Sequence, residues 1–124
     1  MSPTLRFAFG VCILLAATVA AVSSPPVQTQ RFPQFENTHV KVWKSVVLPN
    51  QPLPPHRHEH GRVIVALRGG TMKIADVGGA SDTQVWESGK AYWLPANPPG
   101  TMHTDVNVGS EPIEVMVVEA KDDN

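Results

Sequence analysis

Four of the five histidines fall in two places. His56, His58 and His60 stand at strict two-residue spacing in PPHRHEHGRVIVALRGG, and His103 stands in PPGTMHTDVN. Alternate side chains of an extended strand point to one face. The spacing therefore predicts three imidazoles, and Arg62 after them, turned toward one cavity. Two imidazoles at i and i+2 can hold one metal ion if a third ligand comes from elsewhere. His103 is the candidate for that ligand, and His60 either replaces one of the three or adds a fourth nitrogen. Such a donor set suits zinc, iron, nickel, copper or manganese and does not choose among them. His39 stands apart on a different segment, where a solvated or locally hydrogen-bonded role is expected.

The chain that must position these residues has 124 residues, enough for one domain. Apolar residues make up 42% and charged residues 17%, which excludes a disordered tail and an integral membrane bundle. A formal charge of -1 lacks the basic excess of a nucleic-acid binder. Twelve prolines and nine glycines disfavour a helical bundle and favour short strands. Beyond residue 38, the stretches THVKVWKSVVL, RVIVALRG, TMKIADV, TQVWES, GKAYWLP, 101–107 and EPIEVMVVEA read as strands. No stretch keeps a helical period. The count of seven or eight strands predicts an all-β sandwich or small barrel over residues 38–120, followed by a short tail at 121–124. Residues 24–37 are polar and proline-rich and read as a linker or an edge-strand arm. Gly69-Gly70 and GGASD read as turns.

Residues 1–23 read as a secretory signal peptide. Arg6 precedes an uncharged apolar run at 7–22, which is short of the roughly 20 residues a spanning helix needs, and small residues follow. Cleavage would remove Cys12, the one cysteine, so the mature domain has neither disulfide nor thiol chemistry. The expectation is a secreted or periplasmic protein with no stable membrane insertion after processing.

The two histidine segments resemble the two motifs of the cupin superfamily. In the first, His56, His58 and Gly69 match G-x5-H-x-H-x3,4-E-x6-G, but Arg62 stands where the glutamate belongs and the leading glycine is missing. In the second, Gly89, Pro95, Gly100, His103 and Asn107 match G-x5-P-x-G-x2-H-x3-N, with three extra residues between its halves. The resemblance implies a jelly-roll β-barrel with a central pocket. In metal-bearing members two histidines and the glutamate of the first motif, with the histidine of the second, ligate one divalent ion. Here those positions are His56, His58, Arg62 and His103. Arginine stays protonated and offers no lone pair.

Three readings follow. In one, a divalent metal sits on the histidines and Arg62 clamps a small anionic ligand. In another, the metal is lost and Arg62 with the histidines binds a sugar or organic acid. In the third, the barrel is a non-catalytic dimeric scaffold. If the protein is an enzyme, an oxygenase, isomerase or hydrolase fits the first reading. Tyr92 and Met102 are candidates for the pocket wall. Tyr92 and Trp93 are adjacent and point to opposite faces, so one of them covers an outer surface. Asn107 is expected to serve as a strand-end hydrogen-bonder. A barrel this small leaves strand edges open, which favours a homodimer.

Overall fold

The computed structural model describes residues 24–122. The expected signal peptide at 1–23 lies outside the described residues, as do residues 123 and 124. Eight strands form in chain order: β1 (Gln30–Glu36), β2 (Val40–Val47), β3 (Arg62–Arg68), β4 (Gly70–Asp76), β5 (Ser81–Trp86), β6 (Ala91–Leu94), β7 (His103–Asn107) and β8 (Ile113–Ala120). They make a five-stranded sheet in the order β1-β2-β8-β3-β6 and a three-stranded sheet in the order β5-β4-β7. Every strand pairing is antiparallel. No helix among the described residues is long and apolar enough to cross a membrane.

The two sheets close on one core. Ile64 and Ala66 of β3, Ile113, Val115 and Val117 of β8, and Trp43 and Val47 of β2 meet Met72 of β4 and Trp86 of β5. The period of two that made these segments legible as strands turns each set inward. Two strands carry that alternation past the apolar zone. In β3, Arg62 continues the inward set of Ile64 and Ala66 and is itself buried. In β8, position 119 continues the set of residues 113, 115 and 117, and Glu119 stands in register with Arg62. One end of the barrel is therefore polar inside.

Of the two readings of the arm at 24–37, linker or edge strand, its second half takes the latter as β1, paired along β2. Pro33 is tolerated because β1 is an edge strand, and the register shifts between Pro33 and Phe35. Two other sequence expectations change. The Gly69-Gly70 pair is not a hairpin turn. It is the corner at which the chain leaves the larger sheet for the smaller one. A Cβ at Gly69 would lie 2.0 Å from the Trp86 carbonyl oxygen, so a side chain is excluded there. Most consequential, the histidine segment is not a strand. Residues 54–61 are irregular, with one isolated bridge between His56 and His103, and β3 begins at Arg62. The proline run before His56 prevents a ladder from starting earlier.

Candidate metal centre

The bridge between His56 and His103 fastens the two histidine segments together. His56 N–H donates to His103 O at 2.9 Å, and His103 N–H donates to His56 O at 2.8 Å. Asn97, in the loop after β6, fixes the next residue along. Its Oδ1 accepts from His58 N–H at 2.7 Å, and its own N–H donates to His58 O at 2.8 Å. These backbone contacts bring His56, His58 and His103 together so that one ligand nitrogen from each lies within 4.8 Å of the others. His58 and His103 are buried, and His56 is half-buried. The ring centroids of His56 and His103 are 4.5 Å apart. His60, the fourth candidate, does not belong to this group. Without a strand, the two-residue alternation that would have turned it inward is lost.

Each ring is oriented from behind. His56 Nδ1 is 2.8 Å from the Pro54 carbonyl, to which it donates. His58 Nδ1 donates to Glu119. These contacts place the proton on Nδ1 of both rings and leave the Nε2 lone pairs facing inward, as ligating histidines require. His103 Nδ1 lies 2.8 Å from the Asn97 amide nitrogen. Ligation through His103 Nε2 therefore needs the Asn97 amide to rotate, so that its oxygen accepts from Nδ1 and gives up its contact with His58 N–H. His56 Nε2 and His103 Nε2 are buried with no hydrogen-bond partner among the described residues. Two orphaned buried nitrogens of this kind fit a metal ion, because an unsatisfied buried polar atom costs about 1–3 kcal/mol.

The charges around the triad come from four residues. Asp105 follows His103 by one alternation of β7, and its carboxylate oxygens lie 3.5 Å from His56 Nε2 and 3.6 Å from His103 Nε2. Glu119 backs His58. Arg62 donates to the Pro95 carbonyl at 3.1 Å. Arg31, on β1, lies 5.3 Å above the Trp43 ring. Burial lowers the His103 pKa to about 4 and lowers that of His58, so both rings are neutral near pH 7. Burial alone would raise the Asp105 carboxyl, but the approach of His56, His103 and Arg62 holds it below its ordinary value. Glu119 is likewise held down, against burial, by His58 and Arg62. Burial also lowers both guanidinium groups, and Asp105 and Glu119 oppose that shift.

Among the described residues three spaces adjoin the triad, one of them, of about 310 Å³, lying against His56, Arg31 and Leu53. The barrel interior, lined by His58, Arg62, Asp105, Met72 and other core residues, has about 20 Å³ of free volume. That is room for about one water. A second cleft of about 390 Å³ is lined by residues of β1 and β2, among them Arg31, Phe35, Lys41 and Trp43, together with Arg57, His58 and Glu119. That volume lies in the range of small-molecule sites. Arg62 faces the small space and neither of the larger ones. Tyr92 packs against the core, and its hydroxyl accepts from Glu87 N–H at 2.8 Å. Met102 is 41% exposed. Trp93, at 62% exposed, covers the outer face. Asn107 is fully buried and joins strands, as expected. Its amide donates to Val47 O and Glu111 O, and its Oδ1 accepts from Gly109 N–H.

Asp105, Glu119, Asn97 and Arg31 escaped the sequence reading. Alternation from His103 and from Val117 would have found the two carboxylates. Arg31 required knowing that the arm is a strand, and Asn97 sits in a loop with no periodic signal.

Solved structures confirm the architecture. A cupin domain from Bordetella pertussis Tohama I is 23% identical, and the match covers 81% of this chain and 100% of that one with a TM-score of 0.66. An RmlC-like cupin family protein with a double-stranded β-helix fold from Methanocaldococcus jannaschii is 16% identical. That match covers 86% of this chain and 92% of that one, with a TM-score of 0.60. An uncharacterized conserved protein with a double-stranded β-helix domain from Klebsiella pneumoniae is 22% identical, covering 80% and 82% with a TM-score of 0.57. No protein-family profile and no curated protein matches the chain. The fold is the cupin double-stranded β-helix, and the likeness carries the fold alone.

Proposed function

We propose that this cupin-fold chain binds one divalent metal ion through His56, His58 and His103 and takes a small anionic ligand in the cleft beside it. The observation that carries the proposal is the pair of buried, unpartnered Nε2 atoms on His56 and His103, with His58 held alongside by Glu119. A divalent ion there would supply Lewis acidity to a bound ligand. The chain's own residues would set the ligand class. Arg31, Lys41 and Arg57 supply positive charge to the cleft, while Glu36, on the same wall, is occupied by Lys121. Phe35, Pro33 and Trp43 supply apolar surface. A metal-free site built on Arg62 has weaker support, because that guanidinium faces a space of about one water and donates to Pro95 O.

The test is elemental analysis of the untagged, dialysed protein beside His103→Ala. One ion per native chain and none in the variant is the expected result. Sub-stoichiometric metal in the native protein, with no rise in melting temperature on adding Zn²⁺ or Co²⁺, contradicts the proposal. For the ligand, benzoate and citrate titrations followed by tryptophan fluorescence should weaken in Arg31→Gln. Equal binding in the variant removes Arg31 from the site.

The proposal extends to export and to a homodimer. The apolar run at 7–22 with the small residues after it supports export, and mass spectrometry of the mature N-terminus tests it. The edges of β1 and β6 in one sheet and of β5 in the other support dimerisation, whereas the outer edge of β7 is covered by the segment at 49–56. Light scattering that shows monomer alone contradicts it.

A further inference from the structure

The position at which the first motif carries its ligand glutamate holds Arg62, yet the site is not without a carboxylate. Asp105 lies beside the triad on the neighbouring sheet, and its two oxygens face two different histidines. Oδ2 is 3.5 Å from His56 Nε2, and Oδ1 is 3.6 Å from His103 Nε2. Both separations exceed a normal N–H···O hydrogen bond. Both are close to the spacing of two ligands that share one ion, since donors about 2.0–2.1 Å from a tetrahedral centre lie about 3.3 Å apart. The nitrogens that face Asp105 are the two that have no hydrogen-bond partner among the described residues. The other nearby carboxylate, Glu119, is engaged by His58 Nδ1.

We infer that Asp105 is the fourth protein ligand of the metal site, replacing the glutamate of the first motif by a carboxylate from β7. The inference rests on the metal reading above. It also gives Arg62 a different task from clamping a ligand. With Arg31 it balances the charges of Asp105 and Glu119, so that the buried end of the barrel holds two guanidinium groups and two carboxylates around the three imidazoles. The extra cation near a metal site is then matched by an extra anion, because Glu119 stays outside the ligand set and backs His58.

The test uses Co²⁺ as the probe, with calorimetry for affinity and the visible spectrum of the bound ion for its ligands. Wild type, Asp105→Asn, Asp105→Glu and His103→Ala are compared, and the melting temperature of each metal-free protein is recorded. Asp105→Asn is expected to bind Co²⁺ at least tenfold more weakly and with an altered spectrum. Asp105→Glu is expected to recover part of the affinity. An Asp105→Asn protein with wild-type Co²⁺ affinity and spectrum overturns the inference and leaves the triad standing. A wild type that binds no Co²⁺ overturns the triad reading and this inference with it. Should Asp105→Asn fail to fold, infrared difference spectra of the wild type with and without Zn²⁺ decide. A metal-induced shift of a carboxylate stretch that is lost in Glu119→Gln and unchanged in Asp105→Glu overturns the inference by assigning the shift to Glu119. A shift that persists in Glu119→Gln and moves in Asp105→Glu supports it.

Discussion

Glu119→Gln isolates how much the carboxylate behind His58 contributes. His58 is 5% exposed, and its Nδ1 donates to a carboxylate oxygen of Glu119. Glutamine keeps an oxygen at the same place, so the substitution removes charge while preserving shape. A hydrogen bond to an ionised acceptor contributes about 1.5–3 kcal/mol and a neutral one about 0.5–1.5 kcal/mol. The metal-free protein should therefore lose about 1 kcal/mol, or about 4–8 °C in Tm for a domain of this size. Arg62, in register with Glu119, also loses the favourable field of that carboxylate, which adds to the loss. A second effect acts on the metal. A carboxylate behind a ligating imidazole raises its basicity, and its removal typically costs 10- to 100-fold in affinity, equivalent to about 1.4–2.7 kcal/mol. Thermal melts and Co²⁺ calorimetry on the same samples measure both. Glu114→Gln serves as the control, because the Lys44–Glu114 pair, 3.5 Å apart and partly exposed, should be worth less than about 1 kcal/mol. A Glu119→Gln protein that matches wild type in both Tm and Co²⁺ affinity would refute the reasoning that Glu119 orients His58.

Acid should destabilise the metal-free protein from the histidines first. The folded-state pKa of His103 is depressed from 6.5 to about 4, so the unfolded chain binds more protons between those values. Stability from this residue is full above about pH 6.5 and declines to about pH 4, by up to about 3 kcal/mol. Urea unfolding at pH 7 and pH 5 should show the decline, and it should shrink in His103→Ala. Asp105 and Glu119, held low, add stability that disappears only at more acidic pH. Gly69→Ala should cost about 1–3 kcal/mol, because the new methyl meets the Trp86 carbonyl and the Ser88 N–H, both backbone. A Tm unchanged from wild type contradicts that. Met72→Ala, at a site 1% exposed between the two sheets, should cost about 2–5 kcal/mol by chemical denaturation. A loss under 1 kcal/mol would mean that the sheets can close over the gap.

The all-β class and seven of the eight strands were legible in the sequence because alternation is a local property: RVIVALR and IEVMVVEA each state which residues face inward. The eighth strand was legible only as one of two alternatives, linker or edge-strand arm, since QRFPQFE contains a proline and shows no clean alternation. It forms because β2 offers a free edge. The three histidines of the metal candidate were visible by type and by motif spacing. Placing them on a strand was an error of context, as the prolines at 54 and 55 deny the segment a ladder.

The sequence by itself determined the donor chemistry. Imidazoles at 56, 58 and 103, and an arginine at 62 that cannot ligate, are fixed by residue type. The tertiary structure decided which of them meet and what compensates for the arginine. His60 falls out of the cluster because its loop is irregular. Asp105 and Glu119 enter because β7 and β8, on different sheets and far from His56 in the chain, close over the same end of the barrel. Such contacts depend on how two sheets pack, and no local period or spacing encodes them.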